Sequence, residues 1–384
     1  MTKIARSDVV GSLLRPSYLR EARQRAREGT LSTAELSMTE DRAVREAIAL
    51  QESAGLDVIT DGELRRNSWV VTIPLRPEGV AHAPLAGFEF LPADPGWWSL
   101  WKEPDGRRAQ VWTSPTRPFI TRPVEVVRDI VAEEYAFLKA NARARTKLTI
   151  PAPSWHRIFW HPKYSRDVYP TPEDFLNAIV EYLREHVVAK VVARGGDYLQ
   201  MDAPNYAQWH VDRENLAAFE SWGHDMAAEL VADAELDNMV FAGVDGVTRA
   251  LHVCRGNAPG GRWLASGGYD RIADEMFPRL TNVDRLLLEY DTPRAGDFAP
   301  LKYSLPDTQI VLGLITTKRG ELEDGAAIDA RIREATRYVP LERLAVSPQC
   351  GFASGEAGNP VTPAQQAAKL RLVADVARRV WRSR

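Results

Sequence analysis

The 384-residue chain has little excess of either charge and no long apolar run. Its 49 Lys and Arg stand against 52 Asp and Glu, so it lacks the basic face that nucleic-acid-binding proteins normally present. The longest apolar runs are only a few residues, too short to span a bilayer or to form the apolar part of a signal peptide. These absences predict a soluble, cytoplasmic protein that binds neither nucleic acid nor membrane.

Cysteine is also scarce, with only Cys254 and Cys350 in the whole chain. Two thiols cannot form a disulfide framework in a protein of this length, and a reducing cytosol opposes a bridge. The ordinary role of such a cysteine is that of a small buried apolar residue. Each, however, follows a strand-like run and opens a glycine-bearing loop, CRGNAPGG and CGFASGEAG. That setting makes both thiols candidates for chemistry.

Short β-rich runs alternate with longer helical patterns along most of the chain. The strand candidates are residues 5–12, 56–63, 147–153, 197–204, 249–256, 284–291, 309–318 and 341–352. Helical patterns, with apolar residues three and four apart, cover residues 33–55, 171–196, 214–235 and 363–381. This alternation favours a (β/α)8 TIM barrel over an open doubly wound sheet, and no GxGxxG follows a strand to indicate a dinucleotide fold. The sequence predicts an α/β protein whose residues 1–384 form one barrel domain.

Residues 76–122 do not fit the alternation, because they are rich in Pro, Gly and Trp. We predict that they form a β-hairpin insertion after the second strand. Four tryptophans of this region could form a lid or a contact between subunits of a homo-oligomer: Trp97, Trp98, Trp101 and Trp112. A small apolar core beneath a long loop explains them equally well.

Polar residues stand at the carboxyl ends of the predicted strands, where TIM barrels carry their chemistry. They are Ser12, Asp61, Glu63, Trp155, Asp202, His252, Cys254, Glu289, Lys318 and Cys350. Any one of them could form a salt bridge or face a loop. Because burying an unpaired charge is costly, the convergence of so many indicates a functional site.

Four of these residues form a natural donor set for Zn²⁺: His252, Cys254, Glu289 and Cys350. His252 and Cys254 are two apart, so both project from one face of a strand. The donors are far apart in sequence and include no tight CxxC pair, which favours a catalytic over a structural zinc. A zinc with two thiolate ligands activates water weakly but can bind and deprotonate a thiol. The predicted chemistry is alkyl transfer to sulfur.

The motifs VGSLLRP, DVITDGELRRN, LQMDAPNY, LHVCRGN, LLLEYD and SPQCGF resemble the catalytic half of cobalamin-independent methionine synthase, in the same order. The resemblance implies a (β/α)8 barrel with a catalytic zinc on His252, Cys254, Glu289 and Cys350. It also implies methyl transfer to homocysteine, a step of methionine biosynthesis.

The resemblance further implies that Gly11, Ser12, Glu63 and Asp202 bind the amino-acid substrate, with Glu63 and Asp202 also catalytic. Two carboxylates can pair with an α-ammonium, while a serine and the neighbouring backbone can donate to an α-carboxylate. Trp155 falls where the family binds the pterin of its methyl donor, a methylated folate. A flat indole suits such stacking, although plain packing suits it as well.

Two features depart from the family pattern. The chain has the length of one barrel, whereas full-length methionine synthases have a second barrel that helps to bind the folate. Lys318 stands where the family uses a histidine to move protons, which makes it a third candidate catalytic residue. It could instead pair with Glu321 or Glu323, or face a phosphate or sulfonate.

These departures leave the methyl donor and the acceptor thiol open. One alternative is a zinc-dependent alkyltransferase that uses another thiol, similar to the epoxyalkane:coenzyme M transferase. Another is a non-catalytic relative that binds zinc or a thiol.

Overall fold

The structure is a computed structural model that describes residues 4–75, 83–93, 100–109 and 116–381. Its strands are β1 (Val58–Ile59), β2 (Leu85–Pro92), β3 (Thr116–Val126), β4 (Arg145–Thr146), β5 (Leu148–Pro151), β6 (Tyr198–Asp202), β7 (Thr248–Val253), β8 (Arg285–Glu289), β9 (Gln309–Ile315) and β10 (Leu344–Pro348). Strands β5 to β10 form a six-stranded sheet in which sequential strands are neighbours. All five strand pairs of this sheet are parallel. The predicted α/β class with a parallel sheet is confirmed.

Short pairings extend this parallel arrangement at both edges of the sheet. Strand β1 pairs with β4 in parallel, and only Lys147 separates β4 from β5. At the other edge, Ser7 forms a parallel bridge to Val346 of β10. Residues 5–12 were expected to form a full strand. In the described part of the chain, only Ser7 among them pairs with a strand, through its bridge to Val346. The physical reason is that the carboxylate of Asp57 accepts the backbone N–H groups of Arg6 and Ser7, in place of a neighbouring strand.

Helices cover the sheet. They are α1 (Ser17–Arg27), α2 (Thr33–Ala54), α3 (Ile130–Asn141), α4 (Pro172–Tyr182), α5 (Ala189–Ala193), α6 (Asn205–His210), α7 (Arg213–Ser221), α8 (Met226–Val240), α9 (Ala273–Met276), α10 (Gly325–Ala335) and α11 (Pro363–Trp381). A π-helical segment, Leu183–Val188, joins α4 to α5. No helix of the described ranges is long and apolar enough to cross a membrane.

Capping residues explain where two of the predicted helical patterns begin and end. Helix α2 starts with a capping box formed by Ser32 and Glu35 and ends at Gly55, whose φ is 82°. The pattern at 214–235 is not one helix but two, α7 and α8. Gly223 has a φ of 90°, and the side chain of Asp225 caps the start of α8, so the chain turns between them.

The segment between the second and third predicted strands contains an antiparallel pair. Strands β2 and β3 pair from Leu85 opposite Val126 to Pro92 opposite Thr116. The predicted lid residues Trp97, Trp98 and Trp112 lie outside the described residues. Trp101 is buried in a small apolar cluster with Trp209 and Leu264, separate from the main core.

Candidate metal and substrate site

Three predicted zinc ligands converge at the carboxyl ends of β7 and β10. His252 lies in β7, Cys254 directly follows β7, and Cys350 lies two residues beyond β10. Their ligand atoms are all within 4.8 Å of one another, and the two sulfurs are 3.8 Å apart. In a flat sheet, strands three places apart would be separated by roughly 14 Å. The sheet therefore curves around this group of three side chains.

The hydrogen bonding of His252 leaves one ring nitrogen for a ligand. Nδ1 lies 3.1 Å from the carbonyl oxygen of Leu287 in the neighbouring β8, an acceptor that requires Nδ1 to carry the proton. Nε2 is buried and has no hydrogen-bond partner among the described residues. A histidine held by a carbonyl at one nitrogen, with a lone pair at the other, is the usual arrangement of a metal ligand.

The two thiols share a hydrogen bond that moves their pKa values in opposite directions. Bonding to Cys350, opposed by burial, lowers the pKa of the Cys254 thiol well below its usual value. The same bond raises the pKa of the Cys350 thiol. The proton that Cys350 donates in this bond lies between two buried sulfurs. A cation that replaces the proton would be matched by two thiolates and an imidazole, a donor set that suits zinc.

Glu289, the fourth predicted ligand, lies outside the three-residue group. Its Oε2 accepts the backbone N–H of Arg255 at 2.8 Å, and its Oε1 accepts from Nη2 of Arg294 at 2.7 Å. Although burial opposes its ionisation, the charges of Arg294, Lys318 and Arg255 lower the pKa of Glu289 to about 2. The carboxylate is therefore a fixed negative charge next to the thiols.

Glu63 presents a buried carboxylate oxygen without a partner. Its backbone has a φ of 55°, and its N–H is held by Oδ1 of Asp61 at 2.9 Å. Oε1 accepts from the hydroxyl of Thr149 at 2.9 Å, whereas Oε2 has no partner in the described chain. An unpaired buried carboxylate oxygen is costly unless a ligand binds it. The geometry therefore suits a bound cation.

Asp202 lies at the end of β6, directly opposite His252 in the register of β7. Its Oδ1 accepts from Nε2 of Gln200 at 2.7 Å. Burial raises the pKa of Asp202 to about 7, and the charge of Glu63 contributes to this rise although His252 opposes it. Two carboxylates thus influence each other in a buried site, as expected where a ligand ammonium would bind.

The segment Gly11–Ser12 passes between Glu63 and the loop that carries Cys350. A Cβ at Gly11 would lie 2.3 Å from Oε1 of Glu63, and one at Gly351 would lie 2.0 Å from Oγ of Ser12. Ser12 Oγ accepts the backbone N–H of Ala353 at 3.3 Å. The preceding residue, Val10, packs against both thiols. Only glycine permits these two close approaches.

Trp155 lies in the 3₁₀ helix Pro153–Phe159 and is buried. Its ring meets Trp69 edge to face at a centroid distance of 4.9 Å and Phe159 at 5.2 Å. Trp69 was not predicted from the sequence. The indole of Trp155 is therefore held firmly by aromatic neighbours.

Lys318 does not pair with Glu321 or Glu323, so that predicted alternative is wrong. Its Nζ instead donates to the carbonyl of Gly256 at 2.6 Å and to Oδ1 of Asn257 at 3.2 Å. The reason is that the carboxylate of Glu323 is already bound by Nζ of Lys369, at 2.9 Å. Lys318 thus points toward the loop that follows Cys254.

Several polar residues of the site escaped the sequence prediction. Gln200 is two residues before Asp202, so it lies on the same face of β6, a spacing that could have identified it. Lys147 donates from Nζ to Oε1 of Gln200 at 2.7 Å and to Oδ1 of Asp8 at 2.7 Å. Arg294 carried no signal, because nothing in its local sequence shows that it reaches Glu289.

Comparison with known proteins gives one matching family profile. The family is described as "Cobalamin-independent synthase, Catalytic domain", and the match covers residues 6–84. This range includes Gly11, Ser12 and Glu63, but not the three converging donors.

Relatives are similar over nearly the whole chain. The uncharacterized protein YxjH of Bacillus subtilis (strain 168) is 36% identical, over 98% of this chain and 95% of the relative. The methionine synthase of Sulfurisphaera tokodaii is 24% identical, over 90% of this chain and 85% of the relative. A solved structure, the putative vitamin-B12 independent methionine synthase from Listeria monocytogenes, is 27% identical with a TM-score of 0.70 and covers 99% of each chain.

Proposed function

The chain belongs to the cobalamin-independent methionine synthase family, and on that premise we propose that it is a zinc-dependent methyltransferase whose acceptor is the thiol of homocysteine. The observation that carries the proposal is the convergence of His252, Cys254 and Cys350 within 4.8 Å. The unpaired Nε2 of His252 and the hydrogen-bonded pair of thiols beside it support a bound cation.

We propose that these three side chains hold the zinc and that Glu289 takes the fourth position. Glu289 would be the weakest ligand, because both of its oxygens already accept hydrogen bonds, from Arg255 and Arg294. When bound, the zinc would supply a place where a substrate thiol loses its proton near neutral pH.

The residues around the metal would bind and orient the amino acid. Oε2 of Glu63 and the carboxylate of Asp202 would receive the α-ammonium, since both are buried and close enough for their charges to interact. Ser12 and the backbone of Gly11–Ser12 would donate to the α-carboxylate. This pair of carboxylates favours an amino-acid thiol over a sulfonate thiol, which would add negative charge beside them.

A methyl donor with a flat ring would be placed by Trp155. Its indole is fixed by Trp69 and Phe159, so that stacking would cost little side-chain entropy. A methylated folate is the donor that the family implies.

We further propose that residues 1–384 form one (β/α)8 barrel, with the β2–β3 hairpin as an insertion after its second strand. The bridge from Ser7 to Val346 supports closure at one edge. The pairing of β1 with β4 supports it at the other. The meeting of thiols from β7 and β10 requires the curvature that a barrel would supply.

The test is a methyl-transfer assay of the purified, zinc-loaded protein. Homocysteine would be offered with a panel of donors that includes methylated folates with one and several glutamates, and methionine would be measured by mass spectrometry. The control is Cys350→Ser, which should form none. A parallel arm would offer 2-mercaptoethanesulfonate with epoxides. Turnover in that arm alone would replace the proposal with a thiol alkyltransferase, and turnover in neither arm would contradict both.

A further inference from the structure

A single amide side chain joins the two loops that follow the thiols. Asn257 lies three residues after Cys254, and its Nδ2 donates to the carbonyl of Gly351 at 2.8 Å and to Oγ of Ser354 at 2.9 Å. Gly351 directly follows Cys350. The loop that follows Cys254 is therefore hydrogen-bonded to the loop that follows Cys350.

The oxygen of the same amide is fully used as well. Oδ1 of Asn257 accepts from Nζ of Lys318 at 3.2 Å and from Nδ2 of Asn359 at 3.0 Å. A side-chain amide offers two donors and two acceptor lone pairs, so Asn257 is saturated. Its orientation is fixed, because a flipped amide would turn its NH₂ group toward the lysine ammonium. Lys318 thus determines which way Asn257 points.

A second donor holds the carbonyl of Gly351. Thr317 lies two residues beyond β9. Its hydroxyl donates to this carbonyl at 2.9 Å. Nδ2 of Asn359 also approaches the Thr317 hydroxyl, at 3.4 Å. The backbone next to Cys350 is thereby held from two sides by buried polar groups.

We propose that Asn257 is a positioning residue that keeps Cys254 and Cys350 in place for a shared metal ion, with Lys318 and Thr317 as its supports. The inference rests on the proposed zinc site and deepens it. Without a restraint, two thiolates would move apart, because like charges repel. Partners behind metal ligands typically contribute 10- to 100-fold to metal affinity. In this role Lys318 orients a ligand loop, which differs from the proton transfer of the family histidine.

The experiment measures the zinc dissociation constant by competition with a chelator, in the full-length protein. Asn257→Leu removes all four hydrogen bonds and should weaken zinc binding by about tenfold or more. Thr317→Val is isosteric, removes one hydrogen bond to the same carbonyl, and should weaken zinc binding less. The matched control is Gln51→Leu, a buried amide whose hydrogen bonds join α2 to Thr60 instead. It should leave the zinc dissociation constant unchanged.

Cobalt in place of zinc gives a second readout that a general loss of stability would not move. The thiolate-to-cobalt charge-transfer band should weaken in Asn257→Leu and stay as in the parent in Gln51→Leu. Parent-like zinc affinity in folded Asn257→Leu and in Thr317→Val would overturn the inference. If Asn257→Leu fails to fold, Thr317→Val decides.

The outcomes separate this inference from the proposed function, because zinc binding is measured without any substrate. A parent that binds zinc but methylates nothing would contradict the proposed function only. A parent that binds no zinc would overturn both.

Discussion

The backbone of Gly11 passes so close to Glu63 that a Cβ at position 11 would lie 2.3 Å from Oε1 of the carboxylate and 3.2 Å from Cγ2 of Thr149. The same Oε1 accepts from the Thr149 hydroxyl at 2.9 Å. The carboxylate cannot retreat from a new side chain without losing that bond. The orientation of Oε2 therefore depends on position 11 being a glycine, which has no Cβ.

Gly11→Ala should displace Glu63 and weaken the binding of an amino-acid thiol. Loss of a hydrogen bond to a charged group costs roughly 1.5–3 kcal/mol, so KM for homocysteine should rise about tenfold or more. Steady-state kinetics would measure it, with Gly355→Ala as the control, because a Cβ there meets its nearest atom, Cγ of Pro259, at 3.9 Å. An unchanged KM in Gly11→Ala would show that Glu63 does not contact the substrate.

Asp202→Asn tests the proposed clamp on the α-ammonium. Breaking a buried ion pair costs about 3–5 kcal/mol, which corresponds to a loss in kcat/KM for homocysteine of roughly a hundredfold or more. The amide keeps the shape of the side chain, and its oxygen can still accept the hydrogen bond from Gln200. A sulfonate thiol such as 2-mercaptoethanesulfonate should bind as well as before or better, because one repelling charge is gone. Homocysteine turnover within a few-fold of the parent would rule out the clamp.

The proposed ligands should differ in their effect on metal content. Elemental analysis should find about one zinc per chain, and Cys350→Ser should lose most of it. Glu289→Gln should retain more zinc than Cys350→Ser, because its oxygens are already engaged by Arg255 and Arg294. The reverse order would make Glu289 a principal ligand. Less than about a tenth of an equivalent in the reconstituted parent would contradict the metal site altogether.

The sequence reveals the site best where strand ends carry it. Asp202 ends β6 and His252 lies opposite it in the neighbouring β7, so their proximity follows from parallel register alone. The spacing of His252 and Cys254 likewise follows from the alternation of side chains along a strand. The position of the thiol that follows β10 depends on the curvature of the whole sheet. The alternation of strands and helices and the family resemblance both predicted that curvature, whereas the local pattern around Cys350 did not.

The contacts of long polar side chains could not be predicted in the same way. The carboxylate of Glu289 is engaged by Arg294, and Lys318 reaches Asn257 across the ends of two strands. Such contacts depend on rotamers and on loops, and no sequence period specifies them. For the same reason the strand pattern of residues 5–12 did not reveal that Arg6 and Ser7 donate their backbone N–H groups to the side chain of Asp57.

His156 should make stability fall in acid. Burial lowers the pKa of His156 to about 4, from an ordinary value of 6.5. Between these two pH values the unfolded chain binds a proton that the folded protein does not. The free energy of unfolding therefore rises with pH in this window. The contribution of His156 to stability is lost as the pH falls from 6.5 toward 4. The slope from one such group reaches about 1.4 kcal/mol per pH unit.

Urea unfolding at several pH values, in the presence of a chelator, would measure this effect. His156→Gln retains a polar side chain near the Thr72 hydroxyl, which lies 2.7 Å from Nε2 in the parent, but cannot bind the proton. The parent should therefore lose more stability than the variant between pH 6.5 and 4. Parallel pH profiles for the two proteins would mean that His156 does not resist protonation.

Lys147→Met should destabilise the fold and also weaken substrate binding. Nζ of Lys147 donates to Oδ1 of Asp8 at 2.7 Å, and both side chains are fully buried. Removing one partner of a buried pair costs about 3–5 kcal/mol in the free energy of unfolding, toward the lower end here because Arg285 also lies 3.7 Å from Asp8. The control is Lys190→Met, whose ion pair is about a third exposed and should contribute about 0–1 kcal/mol.

The triple variant Lys147→Met, Asp8→Asn and Arg285→Met should recover much of the lost stability in urea unfolding, since none of the three buried charges remains. It should not recover KM for homocysteine. Lys147 also donates to Oε1 of Gln200, whose Nε2 donates to Asp202 and to the carbonyl of Val10, so the methionine removes the donor that fixes which way this amide points. Stability and KM should therefore separate in the triple variant. If KM returned together with stability, Lys147 would support the fold alone and the orientation of Asp202 would have another cause.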